Sequence, residues 1–132
     1  MIFIDTSYLV AMAVREDGLH AAAMEWTQRV KGPFLTTDLV ILEFVNTLSP
    51  PGLRQRAHLI VSWLVGNQSV LIESVGTGLF QEGLKLHRER PDKGWSLTDC
   101  VSFIVMQRHS ATDSLTHDQH FEQAGFRALL RS

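Results

Sequence analysis

The sequence predicts an α/β fold in which helices cover both faces of a parallel β-sheet. Short β-prone runs alternate with helical apolar patterns along the chain, which is typical of βαβ units. The 132 residues, 45% of them hydrophobic, suffice for one core and are too few for two ordinary domains. Because no internal repeat or polar linker interrupts the pattern, we expect a single domain over residues 1–132.

The N-terminal half is expected to contain two strands and four helices, whose ends are set by turn residues. Gly32-Pro33 and the segment from Ser49 to Gly52 stop two of the helices, and Asp38 is placed to cap the helix between them. In chain order, the expected elements are a strand at 2–4, a helix to residue 14, a helix between residues 18 and 32, a strand at 34–36, a helix from 38 to about 48 and a helix at 53–65.

The C-terminal half continues this alternation. The segment Ser96-Leu97-Thr98-Asp99 has the form of a capping box and marks the start of a helix whose apolar part is Val101 to Met106. Gly125 is expected to end a short helix before the last strand. The expected elements are a strand at 69–72, a helix opening at 76–78 and ending among 85–90, the helix from 96, a strand at 113–116, a helix at 118–124 and a strand at 126–130.

Composition argues against a membrane protein and against a strongly basic nucleic-acid binder. The formal charge is -2 and the pI about 6.3, so any site for a polyanion has to be local. The apolar N-terminus carries Asp5 and lacks a basic leading segment, and the apolar stretch Leu59–Val65 is far shorter than the roughly 18 residues that cross a bilayer. The single cysteine, Cys100, has no disulfide partner, which favours the cytoplasm.

Four carboxylates are expected to meet at one edge of the sheet. Asp5 and Asp118 each follow a β-prone run directly and precede a helix. Both strands therefore direct an acid to the carboxyl edge, where the sites of parallel sheets form. Glu43 and Asp99 lie in the first turns of two helices that can point to the same edge.

Glu43 is the most informative of the four acids. Leu42 and Phe44 flank it in an apolar helix, and no lysine or arginine occurs between Lys31 and Arg54. Ionised carboxylates are rarely buried without a partner, and close carboxylates repel one another by on the order of 4 kcal/mol per pair near a protein surface. Mg²⁺ or Mn²⁺ prefers oxygen ligands and would neutralise the cluster, whereas zinc normally requires His or Cys. Such a site is typical of phosphodiester hydrolysis with one metal ion or two.

Each acid also has a simpler interpretation. Asp5, Asp99 and Asp118 sit where a carboxylate can cap a helix, and Glu43 can be a partly exposed helix residue. The joint placement of the four favours the metal site. Asn46, one helical turn after Glu43, is a candidate to orient it.

Four segments resemble, in order and spacing, the motifs of PIN-domain ribonucleases: IFIDTSYLVA, the isolated glutamate in LVILEFVNTL, WSLTDCVSF and LTHDQHF. The closest likeness is to the VapC-type toxins of bacterial toxin–antitoxin pairs, and it spans Ile2 to Leu130. The resemblance implies a three-layer α/β/α sandwich around a central parallel sheet of four to five strands. The metal-binding catalytic acids that it implies are Asp5, Glu43, Asp99 and Asp118.

The same resemblance assigns supporting groups. Thr6 or Ser7 matches a hydroxyl that helps to hold the metal ion or its water, and Thr116 matches a position that orients the loop before Asp118. His120 is a departure, because many relatives carry a further acid there. The number of metal ions is therefore left open.

The resemblance further implies an Mg²⁺- or Mn²⁺-dependent endoribonuclease that cleaves structured RNA. It implies a homodimer and a small inhibitory antitoxin protein as partners. The alternative is a PIN-like module that binds RNA or a partner without cutting, an interpretation that His120 and the absence of strong positive charge favour.

A basic stretch and one tryptophan are the remaining candidates for RNA contact. Trp95, in the loop before Asp99, is the tryptophan expected to meet RNA, whereas Trp26 and Trp63 fall on apolar helix stripes that suggest core or dimer interface. His117 and His120 are expected to be surface histidines. The basic residues that are expected either to hold RNA phosphates or to stabilise a helix C-terminus are Lys85, Arg88, Arg90 and Lys93.

Overall fold

A computed structural model describes all 132 residues and contains a parallel sheet of five strands in the order β3-β2-β1-β4-β5. All four neighbouring pairs are parallel. The strands are β1 (Ile2–Ile4), β2 (Phe34–Thr37), β3 (Val70–Glu73), β4 (Asp113–Leu115) and β5 (Arg127–Ala128). The predicted α/β class, with its central parallel sheet, is confirmed.

Seven α-helices connect the strands and form the two outer layers. One group is α1 packed against α2, α3 and α4, and the other is α6 packed against α5 and α7. No helix has the length and hydropathy needed to cross a bilayer. The helices are α1 (Thr6–Ala13), α2 (His20–Arg29), α3 (Asp38–Thr47), α4 (Arg54–Gly66), α5 (Thr77–Glu89), α6 (Leu97–Arg108) and α7 (Gln119–Gln123), followed at the end by a 3-10 turn (Leu129–Arg131).

The strand order places a crevice at the centre of the sheet. From β1 the chain adds β2 and β3 on one side and returns to add β4 and β5 on the other. The order therefore reverses between β1 and β4, and open α/β sheets bind ligands beyond the carboxyl ends of strands at such a point. Asp5 follows β1 directly, and Asp118 lies in the segment after β4.

An aromatic cluster joins the elements that flank this crevice. Phe121 of α7 packs edge-on against Phe103 of α6 with ring centroids 5.0 Å apart, and it lies 6.1 Å from Phe3 of β1. Phe3 and Phe121 are fully buried. Because the three candidate aspartates lie at the ends of these same elements, close packing of the cluster fixes their relative positions.

Two predicted details of the elements are wrong. Thr37, not Asp38, caps α3: the Val40 amide donates to Thr37 Oγ1 at 3.1 Å, because Asp38 is already the first helical residue. The Asp38 carboxylate instead accepts from the amide of Val75 at 3.0 Å.

The last strand is shorter than the predicted run 126–130. β5 pairs with β4 only at Arg127 and Ala128, and the chain then turns. The turn lets two consecutive leucines, Leu129 and Leu130, both be buried, whereas successive side chains of a strand point to opposite faces.

Candidate active site

The four predicted carboxylates line one cleft of about 340 Å³ at the carboxyl edge of β1 and β4. Asp5 comes from the end of β1, Glu43 from α3, Asp99 from the first turn of α6 and Asp118 from the N-cap of α7. Other polar residues of the cleft are Thr6, Ser7, Asp17 and Thr47.

Asp5 is buried and is held by hydroxyl groups from two segments. Its Oδ2 accepts from Thr116 Oγ1 at 2.7 Å and from Ser7 Oγ at 3.2 Å. Its other oxygen, Oδ1, accepts from no side chain. Although Asp5 occupies the N-cap position of α1, its side chain makes no capping hydrogen bond, so capping does not explain this acid.

Burial raises the pKa of Asp5 from 3.8 to about 6. The hydrogen bonds from the Thr116 hydroxyl and the Thr6 amide lower this pKa, and the nearby charges of Asp99 and Glu43 raise it further. The buried charge is therefore unfavourable in this cleft unless a cation accompanies it.

Asp99 and Asp118 each combine capping with an oxygen that is left free. Asp99 Oδ2 accepts from the Ser96 amide at 3.0 Å within the predicted capping box, and Asp118 Oδ1 accepts from the His120 amide at 2.9 Å. Neither Asp99 Oδ1 nor Asp118 Oδ2 accepts a hydrogen bond from the protein. Capping and metal binding, the two interpretations from the sequence, are thus compatible because they use different oxygens.

His120 contacts both of these acids. Its Nδ1 lies 3.0 Å from Asp99 Oδ2 and 3.3 Å from Asp118 Oδ1, and all three side chains present an N or O atom within 4.8 Å of the others. The side chain of His120 is 26% exposed, so it is not the free surface histidine that the sequence suggested. His117, on the other side of Asp118, is exposed and does match that prediction.

Thr116 links the two sides of the cleft. Its hydroxyl donates to Asp5 and accepts from the Asp118 amide at 3.0 Å, and the Ser7 hydroxyl lies 3.2 Å from it. Ser7 also accepts from the amide of His117 at 3.1 Å. Ser7 and Thr116 are therefore engaged with Asp5, whereas the buried hydroxyl of Thr6 has no hydrogen-bond partner.

Glu43 and Asn46 occupy the outer side of the cleft. Glu43 is half-buried, and Thr47 donates to its backbone carbonyl at 2.9 Å. Asn46 is exposed and lines a neighbouring groove that shares Glu43 and Thr47 with the cleft. No hydrogen bond joins the Asn46 amide to Glu43, so the contact expected between them is not formed in this structure.

The donor set fits a hard divalent cation. Carboxylate oxygens that accept nothing from the protein are ligands that hard cations prefer, and the unpartnered buried hydroxyl of Thr6 adds another oxygen to the cleft. No cysteine lines the cleft, and Cys100 is buried beside Asp99 in the chain. The residues that could hold the cation are Asp5, Glu43, Asp99 and Asp118.

Asp17 is a cleft residue that sequence reasoning missed. It follows α1, its Oδ1 accepts from the Leu19 amide at 2.8 Å, and it is half-buried among the other acids. In the sequence, Asp17-Gly18 has the composition of an ordinary turn, and no pattern marks the direction of its side chain. Only the packing of α1 and α2 brings it to the cleft.

The predicted RNA-contact residues do not line the cleft. Arg90 pairs with Asp92 at 3.0 Å and lies over the ring of Trp95, 5.0 Å from its centroid, while Lys85 pairs with Glu89 at 3.9 Å. The structure contradicts base stacking on Trp95. That side chain is buried, packs edge-on against Phe103 and donates to Gln123.

The other two tryptophans differ from each other in exposure. Trp26 is half-buried with the guanidinium of Arg29 4.1 Å from its ring centroid, and Trp63 is 51% exposed on α4. Trp63 is therefore not a core residue.

A cluster of acids at the switch point of a five-stranded parallel sheet defines the class of this protein. The chain belongs to the PIN domain family, whose sequence model matches residues 2–127.

Its relatives include VapC toxins. The chain is 27% identical over 127 residues to the 23S rRNA-specific endonuclease VapC20 of two Mycobacterium tuberculosis strains, covering 96% of this chain and 95% of the relative. The crystal structure of M. tuberculosis VapC20, described as a sarcin-ricin loop cleaving toxin, has a TM-score of 0.88 with 22% identity over 96% of both chains, which shows a shared fold. The predicted resemblance to PIN-domain ribonucleases of the VapC type is confirmed.

Proposed function

We propose that this protein is a metal-dependent endoribonuclease and the toxin of a toxin–antitoxin pair. The observation that carries the proposal is the cleft itself, in which three aspartates from separate elements each keep one carboxylate oxygen free of side-chain donors. Membership of the PIN family and likeness to relatives named as 23S rRNA-specific endonucleases support it. Those names make ribosomal RNA the first substrate to test.

Mg²⁺ or Mn²⁺ is the proposed cofactor, held by Asp5, Glu43, Asp99 and Asp118. A bound divalent cation lowers the pKa of a coordinated water and neutralises charge at a scissile phosphodiester. Thr116 and Ser7 donate to Asp5 Oδ2 and so hold the carboxylate in one orientation. Its other oxygen, Oδ1, is left for the cation. Burial raises the pKa of Asp5, and an adjacent cation would stabilise the ionised form of this carboxylate.

The net charge of the protein is -2, so the protein as a whole does not attract RNA to the acidic cleft. Lys93 is one residue before Gly94, and an added Cβ on Gly94 would lie 3.8 Å from His120 Nε2. The nearness of Gly94 to His120 supports our proposal that Lys85, Arg88, Arg90 and Lys93 bind phosphates outside the cleft. A homodimer, a small antitoxin partner and a cytoplasmic location belong to the same proposal.

The test is cleavage of 23S rRNA by the purified protein with Mg²⁺, with EDTA and with Mn²⁺ added back. We expect Asp99→Asn to slow cleavage at least about 100-fold, since loss of a ligand costs more than loss of a group that merely orients one. Glu25→Gln is the matched control, because Glu25 is exposed on α2 and pairs only with Arg29. Cleavage that survives EDTA, or an Asp99→Asn variant as fast as wild type, would disprove the metal mechanism.

The second candidate is a PIN-like module that binds without cutting. The contact of His120 with two of the acids favours it, because that contact already supplies them with a hydrogen-bond donor. Such a module need not take up Mn²⁺ at Asp5, so Mn²⁺ uptake that disappears in Asp5→Asn would count against it. Co-expression with the neighbouring small reading frame tests the toxin role, since growth arrest should be relieved only by the antitoxin.

A further inference from the structure

We propose that His120 is a positioning residue that bridges Asp99 and Asp118 and restricts the cleft to one divalent cation. This inference rests on the proposed metal-dependent function. It concerns the two carboxylate oxygens that face the histidine ring, Asp99 Oδ2 and Asp118 Oδ1. It does not depend on whether that ring is charged.

The hydrogen bonds define what His120 does in this arrangement. An ionised carboxylate only accepts hydrogen bonds, so the Nδ1 atom that lies 3.0 Å from Asp99 Oδ2 and 3.3 Å from Asp118 Oδ1 has to carry the hydrogen. A nitrogen that donates in this way has no lone pair for a metal ion. The His120 ring therefore acts as a donor to Asp99 and lies close against Asp118, although the three groups are close enough to suggest three ligands of one ion.

The two oxygens on the histidine side already have protein partners. Asp99 Oδ2 accepts from the Ser96 amide and from the His120 ring, and Asp118 Oδ1 accepts from the His120 amide and lies 3.3 Å from Nδ1 of the ring. A second cation would lie about 3.5 to 4 Å from the first and share a carboxylate with it. The position that it would need beside these oxygens is occupied by the imidazole.

The oxygens that stay free belong to residues of one cleft. Asp99 Oδ1 and Asp118 Oδ2 accept nothing from the protein, and Asp5 Oδ1 accepts nothing from a side chain. With the Glu43 carboxylate in the same cleft, these are the oxygens that a hard cation bound there would use, and water would complete its coordination.

The fold fixes the helix that begins beside the ring of His120. The next residue, Phe121, is fully buried between Phe3 and Phe103 and fixes α7. The loop at Gly94 passes near Nε2, where an added Cβ would lie 3.8 Å from it. The bridge thus joins the start of α6 to the start of α7 across a sequence separation of 21 residues.

The experiment counts Mn²⁺ bound to the full chain by electron paramagnetic resonance and compares four variants for affinity, kcat and KM on 23S rRNA. We expect wild type to bind one Mn²⁺. His120→Asn, which keeps an N–H donor near the position of Nδ1, should also bind one within about threefold of the wild-type affinity. His120→Ala should bind about 10- to 100-fold more weakly, with kcat reduced more than KM is changed.

His120→Asp places a carboxylate on that side and should raise the count to two Mn²⁺. His117→Asn is the matched control, because His117 is exposed on the other side of Asp118 and its ring makes no hydrogen bond. Circular dichroism of each variant separates loss of fold from loss of the bridge.

Several results would overturn the inference: two Mn²⁺ ions in wild type, wild-type affinity in His120→Ala, a single ion in His120→Asp, or imidazole ¹⁴N modulation of the Mn²⁺ signal that His120→Asn abolishes. These results leave the proposed function standing as long as Asp5→Asn eliminates Mn²⁺ uptake and EDTA stops cleavage. If EDTA has no effect on cleavage, the proposed function fails as well.

Discussion

The shortest side-chain hydrogen bond to Asp5 comes from a distant part of the chain, whereas Asp99 is capped by the backbone of its own helix. Thr116, the closest side-chain donor to Asp5, is 111 residues away, and the amide of Ser96, which donates to Asp99 beside the ring of His120, is three residues away. Asp5 is also deeply buried with a pKa raised to about 6. The comparison shows that a local cap and a tertiary network can deliver equivalent carboxylates to one site.

The largest expected effect concerns the stability of the metal-free protein against pH. The pKa of Asp5 is higher in the folded chain than the unfolded value of 3.8, so the folded state binds the proton more tightly. That contribution is fully present below about pH 4 and is lost as pH rises through about 6, a change of roughly 3 kcal/mol.

Chemical denaturation of wild type and Asp5→Asn at pH 4 and pH 7 measures this effect. Relative to wild type, the free energy of unfolding of Asp5→Asn should rise by roughly 2 kcal/mol from pH 4 to pH 7, the part of the full change that falls between these values, and Mn²⁺ at pH 7 should stabilise only wild type. Parallel pH profiles of the two proteins would show that the burial of Asp5 costs nothing.

The next effect tests the hydroxyl network. Thr116→Val keeps the shape of the side chain but removes the donor to Asp5 and the acceptor of the Asp118 amide. We expect unfolding to become easier by about 2 kcal/mol, because a buried amide loses its partner, and cleavage to slow about 10- to 100-fold. Denaturant titration and cleavage assays check both, with the exposed Thr112→Val as control; equal losses in the two variants would exclude a special role for Thr116.

The smallest effect tests the local cap. Ser96→Ala removes the hydroxyl that accepts from the Asp99 amide and should cost about 1 kcal/mol of stability. Cleavage should change less than about threefold, because the Ser96 backbone amide and His120 still hold the Asp99 carboxylate. A thermal melt and a cleavage assay measure this, and a loss of activity as large as that of Thr116→Val would erase the distinction between the two kinds of support.

The comparison also explains which parts of the site could be predicted. The capping box at Ser96 and Asp99 is a pattern within four residues, so it was predicted correctly. The cap of α3 was assigned one residue late, to Asp38 in place of Thr37, because neighbouring polar residues offer the same signal and only the backbone conformation separates them.

Base stacking on Trp95 was wrong for a related reason. Trp95 stands in a polar loop next to a site residue, yet it is buried against Phe103. RNA binding by the basic stretch stays a prediction. Neither position nor composition of a loop reveals which way a side chain turns. The sequence presents His120 only as a residue where relatives carry an acid, whereas in the structure its ring donates to Asp99 and lies 3.3 Å from Asp118.

The sequence by itself determined the parallel α/β architecture, the placement of four carboxylates at its carboxyl edge and the membership of the PIN family. Hydrophobic period, turn residues and the order of motifs are sufficient for these because each is visible along the chain. Tertiary structure alone decided which oxygens stay free. Packing between elements far apart in the chain brings the Thr116 hydroxyl to Asp5 and the imidazole of His120 to Asp99 and Asp118. It also brings Asp17 into the cleft. No periodic pattern in a sequence indicates the direction in which a side chain points across such a contact.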